Sequence, residues 1–476
     1  MRGPAGMRLM VRAVTALMLV ALLITWPSVA PAMAADSPVV GIQLTLTDSV
    51  SLALRQNPGV LIALRAVDIQ KASVQAARGL LFPSISVDAS YDRSMYEAGN
   101  DPVAMATLKA NWPDLIPPIY HKDLRQQHLT PLEQSNLGEQ TAEYDLTRAK
   151  LSAAFDVTQA FVSVVKAKQQ KSLADLQLEI AQSALADTQD QVGNGTATQA
   201  DLLKAQTQLG TAQFNQTKAD HDVEAAKRVL VSLLGLTPDT PVEVVNDLKY
   251  LPEPASSANL ETRNNEALRS RPEVGQAEVA VRRAQAAYAD AARSSDPSLS
   301  VNGQYNADHY SLAVSSDLVS GDTGLTASLS NRATAADAGK SNDGWNVGVR
   351  FTMPLFDGGT ARSQAEQLRL TLENQRFNLE KQKQAVLDDL YNAWVDLQES
   401  DLKVSLTQKT SEQAQQMLEI VQARFAAGVA VKSDALNAQL SLAQARTEAT
   451  GAVLDYYVAL ARLDKASGRL PGVTAR

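Results

Sequence analysis

Arg424-Phe-Ala-Ala-Gly428-Val-Ala-Val-Lys-Ser-Asp434-Ala-Leu-Asn-Ala438-Gln439 has an earlier echo in Gln191-Val-Gly-Asn-Gly195-Thr-Ala-Thr-Gln-Ala-Asp201-Leu-Leu-Lys-Ala205-Gln206. Glycine, aspartate, alanine and glutamine each return after one interval (428−195, 434−201, 438−205 and 439−206 are all 233). Both copies interrupt long Ala/Gln/Leu-rich stretches of helical composition. A glycine, then small residues, then an aspartate fits a helix C-cap, a short turn and the first turn of a returning helix. Each copy therefore predicts the tip of a long αα-hairpin, with Gly195 and Gly428 at the turns.

Working outward, the helices entering and leaving the tips are the bulk of the chain. After Met353-Pro354-Leu-Phe-Asp357-Gly358-Gly359, about 65 residues reach Phe425 without a proline or an internal glycine, roughly 100 Å of helix at 1.5 Å per residue. Leu379, Val386, Leu390, Ala393, Leu397 and Val404 follow steps of seven, three and four, a coiled-coil seam interrupted by Lys383. Phe161 and Trp394 are equivalent by the 233 interval and read as packing residues. The returning helices share Leu209/Leu442, Ala212/Ala445, Ala226/Ala459, Leu230/Leu463 and Gly235/Gly468. Alanine at so many seam positions allows close helix approach and suits a tube wall better than a thick core.

Further out, a second interval appears. Ala53-Leu-Arg-Gln-Asn-Pro58-Gly-Val60 returns as Ala267-Leu-Arg-Ser-Arg-Pro272-Glu-Val274, and Pro83-Ser-Ile-Ser-Val as Pro297-Ser-Leu-Ser-Val, both after 214 residues (267−53, 297−83). The chain is an internal duplication. The expected division is a signal segment over 1–34, a first repeat over 35–236, a linker over 237–258 with prolines 238, 241, 252 and 254, a second repeat over 259–470 and a tail over 471–476. Thr47 is a candidate N-cap for a short helix before Asn57-Pro58. The proline-led blocks alternate as strands: Ile85, Val87, Ala89 and Tyr91 against Ser84, Ser86, Asp88 and Ser90, then Leu299, Val301, Gly303 and Tyr305 against Ser300, Asn302 and Gln304. Trp345 to Met353 alternates again. Such alternation fits a soluble sheet or a membrane barrel. The first repeat's return strand is open between Val103–Trp112 and Leu124–Leu132. The Ser/Asp/Gly/Asn/Thr-rich tract 306–344 reads as a long solvated loop.

Arg2, Arg8 and Arg12 precede an apolar run from Ala13 to Trp26 and a small-residue site at Ala32-Met33-Ala34, the pattern of a cleaved export signal rather than a membrane anchor. Removing those three arginines and no acids takes the formal charge from −8 to −11, with no basic patch of the kind nucleic acid requires. The chain has no cysteine, which excludes disulfides, thiol catalysis and thiolate metal sites. His121, His128, His221 and His309 lack metal-ligand spacing, and no phosphate loop or nucleophile elbow occurs. Asp357-Gly358-Gly359 reads as a strand-to-helix turn. The expectation is a non-enzyme with no cofactor.

Taken together, the strand pairs, the Met-Pro354-Leu-Phe-Asp357-Gly358-Gly359 turn, the two Gly…Asp tips and the opening Leu44-Thr-Leu-Thr-Asp48 resemble the TolC-type outer-membrane efflux proteins over about residues 44–470. The resemblance implies a mainly α fold with a β membrane portion. Duplicated strand-loop-strand units and long helical hairpins would form a trimeric 12-stranded β-barrel continued by an α-helical barrel. Four strands cannot close a barrel in lipid, whereas three chains could. The resemblance further implies a homotrimer in outer-membrane lipid with a large periplasmic portion. Its tips would meet a periplasmic adaptor protein and an inner-membrane pump of RND or ABC type, and loops 92–123 and 306–344 would face outside. Family members often carry two aspartates one turn apart at the second tip. Asp434 matches the first, Asn437 stands at the second, and Asp201 is the first-repeat counterpart of Asp434. The competing reading is a periplasmic coiled-coil scaffold or adaptor without a pore.

Overall fold

The computed structural model describes residues 42–80, 82, 84–92, 103–113, 131–252, 257–292, 298–307, 310–317, 323–330, 344–353 and 355–471. The signal segment, the prolines 83, 297 and 354, and His121, His128 and His309 lie outside the described residues. The first repeat runs β1 (Ile42–Leu44), α1 (Leu46–Gln56), α2 (Pro58–Gly79), β2 (Ser84–Asp92), β3 (Val103–Pro113), α3 (Pro131–Gly193) and α4 (Gln199–Leu233). After β4 (Val242–Val244), the second runs α5 (Ser257–Ser270), α6 (Pro272–Ala292), β5 (Ser298–Ala307), β6 (Tyr310–Asp317), β7 (Thr323–Ser330), β8 (Gly344–Thr352), α7 (Thr360–Ala426) and α8 (Lys432–Ala466).

Local chemistry sets the helix boundaries. α1 starts two residues before the expected position, because Thr45, not Thr47, is the N-cap: Asp48 N donates to Thr45 Oγ1 at 3.2 Å and Thr45 N donates to Asp48 Oδ2 at 3.4 Å. The reciprocal box needs its acidic partner three residues after the cap, a spacing Thr45 has in Asp48 and Thr47, with Val50 there, lacks. Asn57 both closes α1 and opens α2, its Oδ1 accepting from Gly59 N at 2.8 Å and its Nδ2 donating to the Leu233 carbonyl at 2.7 Å. Arg271, at the matching position (271−57 is 214), donates to the Lys465 carbonyl at 3.0 Å and pairs with Asp389 at 3.1 Å. In both repeats, then, the break between short helices is tied to the end of the returning helix.

The long helices meet along alanines. Ala438, Ala445, Ala452, Ala459 and Ala466 are all buried at steps of seven on α8, and Ala205, Ala212 and Ala219 repeat the seam on α4. A seven-residue repeat is the coiled-coil period, and methyl-sized knobs bring the backbones close. Most of the apolar mass is gathered away from the tips. One cluster joins Val157, Phe161 and Val164 of α3 to Leu230, Leu44 and Val242; a second joins Val386, Leu390, Ala393 and Leu397 of α7 to Tyr456 and Leu463 of α8; a small third, of Leu418, Ala438 and Leu442, lies nearer the second tip. Lys383, the seam interruption, turns to Glu380 at 3.0 Å. The linker strand β4 pairs in parallel with β1.

All four expected strands are present in one antiparallel sheet, and the first repeat's return strand is Val103–Pro113; the other candidate, Leu124–Leu132, lies for the most part outside the described residues. Two further strands stand where a solvated loop was expected. The tract 306–344 supplies β6 and β7, and the sheet order is β2-β3-β7-β6-β5-β8. Serine and threonine made the tract look like loop, yet Tyr310, Leu312, Val314, Leu325 and Leu329 recur within it at a period of two. The expected outside placement of the whole tract also fails. Asp317 pairs with Ser300 and Gly324 with Pro113, so the end of β6 and the start of β7 stand at the helix-proximal end of the sheet. β3 likewise ends, at Pro113, at the helix-proximal end of the sheet.

Candidate functional site

At the tips, both glycines are left-handed, Gly195 and Gly428 each at φ 72°. Each closes its helix with the same pair of bonds. Gly195 N donates to Val192 O at 3.0 Å and Thr196 N to Gln191 O at 2.9 Å; Gly428 N donates to Phe425 O and Val429 N to Arg424 O, both at 2.9 Å. This Schellman closure satisfies the terminal carbonyls and needs a residue that tolerates positive φ.

The returning helices then differ. Asp201 is the third residue of α4 and is locked in a capping box: Thr198 Oγ1 donates to Asp201 Oδ2 at 2.6 Å, Thr198 N to the same oxygen at 2.9 Å, and Asp201 N to Thr198 Oγ1 at 3.2 Å. The Thr198 hydroxyl and amide hold this carboxyl below the usual carboxylate range. In the second repeat valine replaces the threonine, and Asp434 keeps only a 3.3 Å bond from Val431 N. Both Asp434 and Asn437 are exposed on α8. Asp434 is thus a less committed charge than Asp201 at the same place in the fold. Beside it, Lys432 Nζ donates to Ser183 Oγ at 2.7 Å and stands 3.6 Å from Asp187, tying the second tip to α3 of the first hairpin. Sequence reasoning missed that tie, because its partners are 249 residues apart and outside either repeat interval.

A second inter-repeat tie lies further along the hairpins. The Asp455 carboxylate of α8 bridges Lys166 of α3 and Lys403 of α7, the latter at 2.9 Å. Partial burial opposes ionisation there, but the two ammonium groups outweigh it and the carboxyl is held below its usual range. Tyr250 of the segment after β4 donates to Asp401, and burial followed by that carboxylate pushes its hydroxyl up to about 12.

Where strand passes to helix, Asp357 Oδ1 accepts from Gly359 N at 2.8 Å and Oδ2 from Ala361 N at 2.7 Å. Those two amides lower its pKa. Gly358 and Gly359 take φ 71° and 84°, and Pro354 lies outside the described residues. The Asp-Gly-Gly turn caps α7. Just before it, β8 is exposed along its whole length, with Trp345, Val347, Val349 and Phe351 between 63% and 77% exposed. Leu355 and Phe356 at the turn are about nine-tenths exposed (88% and 92%). A strand bare on both faces, apolar on one, needs lipid against it. Among the described residues no helix is long and apolar enough to cross a membrane, and no group of three or more His, Asp or Glu is placed to hold a metal.

Long alanine-seamed hairpins on an uncovered amphipathic sheet, duplicated in one chain, define an outer-membrane protein with a large periplasmic helical portion. The chain belongs to the family described as outer membrane efflux protein, whose profile it matches over residues 49–236 and 264–469. It is 26% identical over 323 residues to the alkaline protease secretion protein AprF of Pseudomonas aeruginosa, a match spanning 64% of this chain and 59% of that relative. It is 23% identical over 403 residues to the outer membrane protein TolC of Escherichia coli, covering 83% and 76% respectively. Among solved structures, the outer membrane channel CmeC of Campylobacter jejuni shares the fold at a TM-score of 0.65 and 19% identity, covering 89% of this chain and 85% of that one.

Proposed function

We propose that this chain is the exit duct of a tripartite efflux or type I secretion system, a homotrimer that passively conducts what an inner-membrane pump delivers through a periplasmic adaptor. The observation that carries the reading is the bare amphipathic sheet, continuous in sequence with the two hairpins. Lipid outside and water inside suit that sheet, and the helices would prolong its lumen into the periplasm. A pore-free scaffold would leave the exposed Trp345, Val347, Val349 and Phe351 unaccounted for. In this reading the tips at Gly195 and Gly428 meet the adaptor, and Asp434, three times around one axis, governs entry with Asn437 one turn on.

Planar-bilayer recording tests both levels. The purified trimer should form ion-conducting channels, and a protein that inserts without conducting would overturn the duct. Asp434→Ala should raise single-channel conductance and weaken block by multivalent cations. Asp201→Ala should do much less, since Thr198 already engages that carboxylate. Equal small effects from the two would mean that both aspartates merely cap helices.

A further inference from the structure

We propose that the β6–β7 hairpin is part of the duct wall, so that three chains close an eighteen-stranded barrel, six strands each, by pairing β8 of one copy with β2 of the next. The proposal rests on the duct reading and sets the bore, hence the size of cargo the duct admits.

Three observations carry it. First, the hairpin is hydrogen-bonded on both sides, β7 to β3 and β6 to β5, and so separates the two halves of the sheet. A loop lying in the lumen or outside the cell would leave β3 free to pair with β5 directly.

Second, the hairpin is in phase with its neighbours. Across the sheet, one register row reads Ile85–Ala110–Ala327–Leu312–Tyr305–Trp345, and the row beside it reads Ser84–Asn111–Thr326–Ala313–Gln304–Asn346. On the other side of the apolar row lies Ser86–Lys109–Ser328–Ser311–Asn306–Gly344. Apolar and polar rows alternate through the inserted strands without a slip, and a single slip would reverse the faces of the hairpin. That is the requirement for one lipid face and one water face.

Third, the polarity closes. Every pairing in the sheet is antiparallel, so β2 at one edge and β8 at the other run in opposite directions. β8 of one copy therefore meets β2 of the next as one more antiparallel pair, and no edge is left in lipid. The apolar row also climbs from near the start of β2, at the helix end, to the far end of β8, the stagger that closure of tilted strands demands. Since barrel diameter grows about linearly with strand number, eighteen strands give a bore about half as wide again as twelve.

The cysteine-free chain allows a direct test. Asn111 and Thr326 are register partners, whereas Asn111 and Gln304 are three strands apart, about 14 Å at the usual strand spacing. Oxidation of the purified trimer should link Asn111→Cys to Thr326→Cys and should not link Asn111→Cys to Gln304→Cys, the latter gap being beyond disulfide reach. The reverse pattern, or no link in the first pair, would overturn the proposal. With residues 310–330 removed, the largest neutral polymer that enters the duct from the barrel side should be smaller, because barrel diameter falls with strand number whatever the tips admit. An unchanged polymer cut-off would overturn the wall assignment. Correct crosslinks in a protein that never conducts would refute the duct and leave the wall standing.

Discussion

At the scale of single residues, four glycines repeat in pairs but do different work. Gly195 and Gly428 have φ 72° with open space where a Cβ would stand. Gly235 and Gly468 combine φ of 71° and 79° with close approach: a Cβ on Gly235 would fall 2.2 Å from the Gln56 carbonyl oxygen, and one on Gly468 2.5 Å from Ser270 Oγ. Gly195→Ala should therefore cost about 1–2 kcal/mol, the strain of a left-handed alanine. Gly235→Ala should cost a further ~1–3 kcal/mol, because backbone must move. Gly468→Ala should fall between them, since a serine hydroxyl can rotate away. Thermal melts of the helical circular dichroism would rank the three, and equal losses would mean that φ alone decides. Gly195 and Gly428 were legible in the sequence as C-caps, and Gly235 and Gly468 only as a pair repeated at the same interval. Their different surroundings were not, because Gln56 and Ser270 meet them only after the short helices fold back.

Among elements, the hairpins were readable because their signals are local: a glycine, an aspartate and a seam of period seven. The sheet was readable only in part. Strands led by proline and filled with valine and isoleucine stood out, whereas β6 and β7 are built from serine, threonine and glycine with a thin apolar alternation, and composition outweighed period. Ion pairs between hairpins were not readable at all, and Asp455 makes the clearest case for testing one. Its carboxyl is held below the usual range, since Lys166 and Lys403 outweigh the burial that opposes ionisation. A lowered folded pKa means that the tie stabilises above the ordinary carboxylate value and is lost as pH falls through the folded one. With Lys166, Asp455 and Lys403 each a third or more exposed, the pairs are worth no more than about 1 kcal/mol each. Asp455→Asn should lower the melting temperature modestly at pH 7 and hardly at all near pH 2. A deficit that persists in acid would show that the residue acts by packing and not by charge.

For the whole molecule, the duplication says how copies should meet. Within one chain, α6 packs on α3: Gln276 Nε2 donates to Asp145 Oδ1 at 2.8 Å, and Gly275 lies so close to Tyr144 that a Cβ would stand 2.4 Å from the ring. Shifting each partner by its own repeat interval turns Gly275 into Leu61 of α2 (275−214) and Tyr144 into Phe377 of α7 (144+233). Both are large, apolar and uncovered, Leu61 41% and Phe377 71% exposed, with Ile62 beside them at 72%. Half-units that repeat head to tail close into a ring only if the contact between copies imitates the contact within one. Phe377 of one copy should then pack on Leu61 and Ile62 of the next, slightly further apart than the inner pair because leucine replaces glycine. A short-reach bis-maleimide should join Leu61→Cys and Phe377→Cys into covalent dimers and trimers on a denaturing gel. Tyr144→Cys with Gly275→Cys should crosslink without any gain in mass, since that contact is internal. Loss of trimer in Ile62→Glu with Phe377→Glu, and its survival in Gln276→Glu, would follow from the same geometry. Crosslinking of the outer pair within a single chain, or none while the inner pair reacts, would mean that the copies meet through other faces and that the two repeats are not quasi-equivalent in the ring.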